Sequence, residues 1–201
     1  MQKNDKLIAI LGVVILILAS IGIYFWAPES TMGEAGIEDF YEVYGSIKPI
    51  DTGIKVSDEN PFFALITTPL AINYEEDGEQ NVLPLYVTNF DDASKAIVRA
   101  ESEQIQIEPT LVIQPYADAK QKSIEIASSR WEESEGALLI EQSQEGYNLG
   151  VVATPLASYL SIPVIVTDAM DEDVIEVLNE LGVKKSFVCG NLSGFGTTLK
   201  F

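Results

Sequence analysis

Two kinds of cluster in this 201-residue chain combine residue types and spacing that could do chemistry. Asp168, Asp171, Glu172 and Asp173 crowd together after the apolar run Val164–Thr167, and Asn89, Asp91 and Asp92 follow Leu85–Thr88 in the same way. Carboxylates gathered at the C-terminal end of a strand can hold a hard cation through oxygen, which makes Asp168, Asp171 and Asp173 candidate ligands for calcium or magnesium. The same residues open an amphipathic segment, where capping and the helix dipole account for most of them without any ion. The second cluster is Gly190-Asn191-Leu192-Ser193-Gly194-Phe195-Gly196. Here Gly190, Asn191, Ser193 and Gly194 could offer N–H and hydroxyl donors to an anionic ligand. The spacing fits neither a P-loop nor a dinucleotide fingerprint, and an ordinary turn explains the glycines equally.

Other chemistries are excluded outright. The chain has no histidine, so Ser-His-Asp and Cys-His catalysis and imidazole metal sites are absent. Cys189 is the only cysteine and can form neither an internal disulfide nor a thiolate zinc cluster; at the end of a strand, with no histidine to activate it, it reads as a buried structural thiol. With 31 acidic against 12 basic residues the net charge is −19, which argues against nucleic acid and against anionic lipid as partners. A carboxylate pair for hydrolysis could be drawn from so many acids, but nothing in the sequence selects one. Thr67, Thr68 and Thr154 lie beside prolines, where hydroxyls bond back to the preceding turn of a helix. Trp131 reads as a core anchor.

The elements that must position these residues begin with an N-terminal block. Leu7 to Trp26 runs 20 residues without a charge, enough to span about 30 Å of hydrocarbon as a helix. Tyr24 and Trp26 close it as interfacial aromatics, Lys3 and Lys6 precede it, and Glu29, Glu34, Glu38 and Asp39 follow. The positive-inside rule then leaves residues 1–6 in the cytoplasm and the remainder outside. The competing reading is a secretory signal cut after Ala35, but such signals have a shorter apolar core. Residues 27–36, small, acidic and proline-containing, read as a linker.

Beyond the linker the sequence repeats itself. Leu65-Ile66-Thr67-Thr68-Pro69-Leu70-Ala71 matches Val151-Val152-Ala153-Thr154-Pro155-Leu156-Ala157, and Leu83-Pro84-Leu85-Tyr86-Val87-Thr88 matches Ile162-Pro163-Val164-Ile165-Val166-Thr167. The first copy is longer between its blocks by the acidic stretch Glu75 to Asn81, which reads as a solvated loop. The pattern predicts a helix capped by Asn60 and running to about Tyr74, with a bend at Pro69. A second helix carries Leu149, Val152, Leu156 and Leu160 on one face. Short strands are predicted at Leu85 to Thr88, Leu111 to Ile113, Ala137 to Ile140, Val164 to Thr167 and Lys184 to Gly190. Further helices are predicted at Asp92 to Glu101, Asp118 to Trp131 and Asp171 to Leu181. Alternating helices and short apolar strands imply parallel sheets with crossover helices.

The second copy resembles a known family. Gly146-Tyr147, Ala153-Thr154-Pro155-Leu156-Ala157, Ile162-Pro163-Val164-Ile165-Val166-Thr167, Leu181-Gly182-Val183-Lys184-Lys185 and Val188-Cys189-Gly190 fall in the order found in cell-wall-binding repeats of type 2. The match covers about Leu138 to Gly196. The resemblance implies small three-layer α/β modules in tandem at a cell surface, non-covalent binding of anionic wall polymers, and kinship with membrane-anchored archaeal surface proteins. Two positions depart from the family pattern: Leu149 stands where an aspartate is common, and Asn191 replaces the second of a glycine pair. Family modules continue into a helix beyond the glycine segment, so this chain is expected to be a short or truncated form.

Together these readings predict an α/β protein: an N-terminal transmembrane helix, residues 7–26, followed by two tandem three-layer α/β units with parallel strands, residues 37–116 and 117–201. The expected function is a non-enzymatic, extracytoplasmic binding or structural module of the cell envelope. Its expected partners are the membrane, an envelope polymer or surface-layer protein, and further copies of the repeat. A carboxylate- or divalent-metal-dependent extracytoplasmic hydrolase is the alternative.

Overall fold

The computed structural model describes residues 43–50, 52–75, 78–104 and 111–201, all within one compact unit, Ala35–Phe201. The predicted membrane span and linker lie outside the described residues. Among those residues no helix is long and apolar enough to cross a membrane.

The protein is mixed α/β with parallel-strand sheets and five helices among the described residues. Its strands are β1 Gly45–Ile47, β2 Ile54–Ser57, β3 Ile72–Tyr74, β4 Gln80–Val82, β5 Leu85–Thr88, β6 Leu111–Ile113, β7 Trp131–Ser134, β8 Gly136–Glu141, β9 Val164–Thr167, β10 Lys185–Cys189 and β11 Thr197–Lys200. The helices are α1 Phe62–Ala71, α2 Lys95–Gln104, α3 Ala119–Arg130, α4 Gln144–Tyr159 and α5 Glu172–Glu180. One parallel sheet has the order β5-β2-β6, the other β11-β10-β8-β9.

Chain order and sheet order together show a duplication. In the first half β2, α1, β5, α2 and β6 follow one another, and β2 is the central strand; in the second, β8, α4, β9, α5 and β10 do the same around β8. Registers agree as well: Ile54 pairs with Leu85, and Leu138 with Val164. Matching elements of the two halves meet each other. β1, which precedes β2, pairs antiparallel with β7, which precedes β8, through Gly45–Ser134 and Ser46–Glu133. Helix α1 packs against α4 and touches both β2 and β9. An apolar helix with neighbours on most sides buries nearly everything it carries, and eight of its ten residues are buried.

Local chemistry explains why these segments are helices. Asn60 Oδ1 accepts the Phe62 N–H (3.1 Å), starting α1 as expected. Pro69 and Pro155 sit inside α1 and α4 without ending them. Beside them Thr67 donates to Phe63 O (2.8 Å), Thr68 to Ala64 O (2.6 Å) and Thr154 to Gly150 O (2.7 Å), the back-bonding expected from sequence.

Three expectations are corrected. Helix α1 stops at Ala71, because Ile72–Tyr74 pairs with Gln80–Val82 as an antiparallel hairpin, β3–β4. The last two residues of the acidic insertion, Gln80 and Asn81, therefore belong to the far arm of a hairpin. Helix α2 starts at Lys95 rather than Asp92; Asn89 Oδ1 takes the N–H groups of Asp91 (2.9 Å) and Asp92 (3.0 Å) into a turn, and Ser94 Oγ accepts from Ile97 N–H (3.3 Å). The third concerns α4. Its buried residues are Gly146, Gly150, Ala153, Thr154, Ala157 and Ser158, while Val152 is 75% exposed. Small residues make the closest approach to the sheet and α1, while of the predicted face Leu160 is buried, Leu149 and Leu156 are half-buried against the core, and Val152 alone departs. A Cβ at Gly150 would lie 2.8 Å from Ile140 Cδ1 and 3.1 Å from Leu65 Cδ1, so the closeness of α1, α4 and β8 excludes bulk there.

One residue ties the hairpin to the rest. Ser161, in the turn from α4 to β9, has φ 54° and is buried. Its Oγ donates to Tyr74 O (2.7 Å) and accepts from Tyr74 N–H (3.2 Å), and its carbonyl accepts the Trp131 indole N–H (2.7 Å).

The packing of α4 gives a direct test. Gly150→Leu should destabilise the protein by roughly 1–3 kcal/mol through overpacking. Val152→Ala should change stability by no more than about 0.5 kcal/mol. Chemical denaturation followed by tryptophan fluorescence measures both. A larger loss for Val152→Ala would return that side chain to the core.

Candidate functional site

The C-terminal edge of a parallel sheet, beside its central strand, is where α/β proteins ordinarily hold ligands. In the second half that edge is formed by Glu141 at the end of β8, the glycine-rich turn after β10 and the acidic turn after β9.

Glu141 occupies the crevice between β8 and β10. Its Oε2 accepts the Asn191 N–H (3.2 Å) and the Ser143 hydroxyl (2.8 Å). Ser143 Oγ in turn accepts from Gly146 N–H (3.0 Å) and caps α4. Gly190 holds φ 97°, and a Cβ there would stand 2.7 Å from the Glu141 carboxylate. The donor presented by the predicted anion-binding turn is thus engaged by the protein's own carboxylate. Of the four predicted ligand residues, Gly190 and Asn191 lie at this crevice. Ser193 is exposed and Gly194 lies farther round the turn, against Thr198.

The turn has a structural task that explains its composition. It returns the chain to place β11 parallel beside β10, over a shorter path than a parallel crossover ordinarily takes. Gly196 makes the close return possible: φ is 62°, and a Cβ would fall 2.0 Å from Lys184 O. Ser186 Oγ accepts from Phe195 N–H (2.8 Å), and Lys200 Nζ donates to Leu192 O (2.9 Å).

The predicted cation ligands have other partners. Asp171 caps α5, its Oδ1 accepting from Val174 N–H (3.4 Å), and its Oδ2 takes a hydrogen bond from Lys120 Nζ of α3. Asp173 lies 3.9 Å from the same ammonium, and Asp168 is exposed on the turn after β9. Among the described residues no group of three acidic or thiol side chains is placed to share a metal ion. The Lys120 hydrogen bond holds the Asp171 carboxyl below its ordinary range, and the same bond raises the Lys120 ammonium. Cys189, at the end of β10, is fully buried, and desolvation pushes its thiol up to about 12. It is a thiol at physiological pH, and no nucleophile.

Glu141 and Ser143 were not singled out from sequence. The available signal was Ser143 three residues before Gly146 at the start of a helical pattern, the spacing of a hydroxyl cap.

The Asp171–Lys120 pair makes a signed claim about pH. A lowered carboxyl contributes stability above its ordinary value of 3.8, and that contribution drains away as pH falls through the lower native value. Asp171→Asn keeps a capping side chain and removes the charge, so its acid-side loss of stability should be shallower than that of the parent. Melting temperature against pH measures this. If calcium raises the parent's melting temperature by several degrees and the rise vanishes in Asp171→Asn, the carboxylate is an ion ligand instead of a cap.

No family model matches the chain, no curated protein is detectably similar to it in sequence, and no solved structure is detectably similar to its fold.

Proposed function

We propose that this chain is a membrane-anchored, non-enzymatic module displayed on the outer face of the cell membrane for binding or assembly in the envelope. Residues 7–26 are the anchor, residues 27–36 the linker, and the duplicated halves are two tandem three-layer α/β units of the cell-wall-binding-repeat kind.

The observation that carries the non-enzymatic reading is the closure of the strand-end edge. Three of the groups there are engaged or buried: Asn191 N–H on Glu141, Asp171 on Lys120, and Cys189 buried and protonated. A catalytic edge needs an acid, base or nucleophile with a suited pKa, and the internal partners of Asn191 and Asp171 and the burial of Cys189 support a structural role for this edge. The surface reading draws on the uncharged N-terminal block and the lysines before it. The repeat reading draws on the shared strand orders β5-β2-β6 and β9-β8-β10 and on the motifs of the second copy. An anionic envelope polymer would meet a chain of net charge −19, so its attachment would run through bridging divalent cations.

Topology is the first test. A protease added to intact cells should remove residues 37–201, and a tag at the N-terminus should be reached only after lysis. Protection of 37–201 until lysis would overturn the proposal.

A further inference from the structure

A sizeable groove lies away from the strand ends. It has a volume of about 840 Å³ and runs between the β3–β4 hairpin and the β1–β7 ribbon. That size falls within the range of small-molecule sites. Leu70 lies at its base; Tyr74, Asn73 and Asn81 line the hairpin side, and Ser46 and Glu133 the ribbon side.

Its chemistry is neutral and amphiphilic. Asn73 is 9% exposed; its Nδ2 donates to Leu70 O (3.3 Å), and its Oδ1 accepts from Asn81 Nδ2 (3.4 Å). Asn81 Nδ2 also reaches Glu75 Oε1 (2.9 Å), and Gln80 Nε2 donates to the Tyr74 hydroxyl (3.0 Å). Amides and hydroxyls of this kind both donate and accept, which suits a ligand whose groups also do both. The cation lining the groove, Lys48, directs its ammonium to Ser129 O (3.3 Å). Two carboxylates, Glu75 and Glu133, face the groove in a strongly acidic protein, so an anionic ligand is repelled. Beside it Tyr159 is 65% exposed, its ring 5.5 Å from that of Tyr74 and tilted by 57°. Such rings offer apolar faces to the C–H side of a pyranose and a hydroxyl at the rim.

The groove is also rigidly built. Ser161 fixes the main chain of Tyr74, and its carbonyl holds the Trp131 indole at the end of the ribbon. A site held in place before binding loses less entropy when a ligand arrives. Gln80 and Asn81 of the hairpin come from the insertion that distinguishes the first copy from the second.

We infer that the groove between the β3–β4 hairpin and the β1–β7 ribbon binds a neutral oligosaccharide. This deepens the envelope-binding reading by naming a ligand class, and the two stand or fall separately: the protease experiment reports topology, and this one reports binding. A basic peptide would also suit two carboxylates, but the neutral donors and acceptors outnumber them and Glu75 is already engaged by Asn81.

The test uses the full chain in a polyoxyethylene detergent, since maltoside headgroups would compete. Saturation-transfer NMR is run with maltotriose, cellotriose, mannotriose and chitotriose, and with trigalacturonate and trilysine as charged counter-probes. At least one neutral trisaccharide should bind, with affinity lowered about tenfold or more in Asn81→Leu and Tyr159→Ala through lost hydrogen bonds and ring contact. Gln121→Ala, on α3, should bind as the parent does. An unchanged melting temperature in each variant excludes misfolding. Three outcomes overturn the inference: no neutral trisaccharide binds, binding survives both Asn81→Leu and Tyr159→Ala, or trigalacturonate or trilysine is preferred.

Discussion

Ser161 sits in the left-handed region of backbone space at φ 54°, and three elements depend on its staying there. That conformation costs a non-glycine residue roughly 1–2 kcal/mol. It is offset by three hydrogen bonds, each worth about 0.5–1.5 kcal/mol: two between its hydroxyl and the main chain of Tyr74, and one from the Trp131 indole to its carbonyl. The residue opposite must also be small, because a Cβ at Gly45 would lie 2.3 Å from Ser161 O. The turn from α4 into β9 therefore determines where the hairpin, the ribbon and the largest buried side chain meet. Glycine at 161 would relieve the backbone and lose the hydroxyl, leaving the Tyr74 N–H and C=O without that partner.

Charge organises the rest. An excess of acid keeps anions away from the surface, while the few lysines are placed where carboxylates most need them. Lys120 joins α3 to the start of α5 through Asp171, and Lys55 of β2 meets Glu101 of α2 (2.7 Å). Solvent-accessible pairs of this sort contribute little stability even when half-buried, so their effect is to direct elements more than to hold them. The core does the holding: β8, β9 and β10 are almost wholly buried, as strands of a covered parallel sheet must be.

Much of this fold was legible in the sequence. Leu85–Thr88, Leu111–Ile113 and Val164–Thr167 are strands at the predicted residues, because short β-branched runs after a proline have few other places to go. Asp118 and Asp171 cap their helices because a carboxylate three residues before a free N–H has a local partner whatever surrounds it. What depended on distant partners was not legible. β1 and β7 are too short to show a period and exist because they pair with each other across the duplication. Periodicity finds Leu149, Leu156 and Leu160 of α4 but not its glycines and alanines, which the close packing of α1 on α4 selects. The glycine-rich turn is visible in the sequence, but its carboxylate partner, Glu141, lies fifty residues away and no local pattern points to it.

Amide and indole hydrogen exchange in Ser161→Ala, compared with the parent, tests most directly whether one serine seats the hairpin and the groove. The account expects faster exchange at Tyr74 N–H and through β3–β4, with a smaller loss of protection in β8, β9 and β10. Unchanged exchange at Tyr74, or a uniform loss of protection across both sheets, would contradict it.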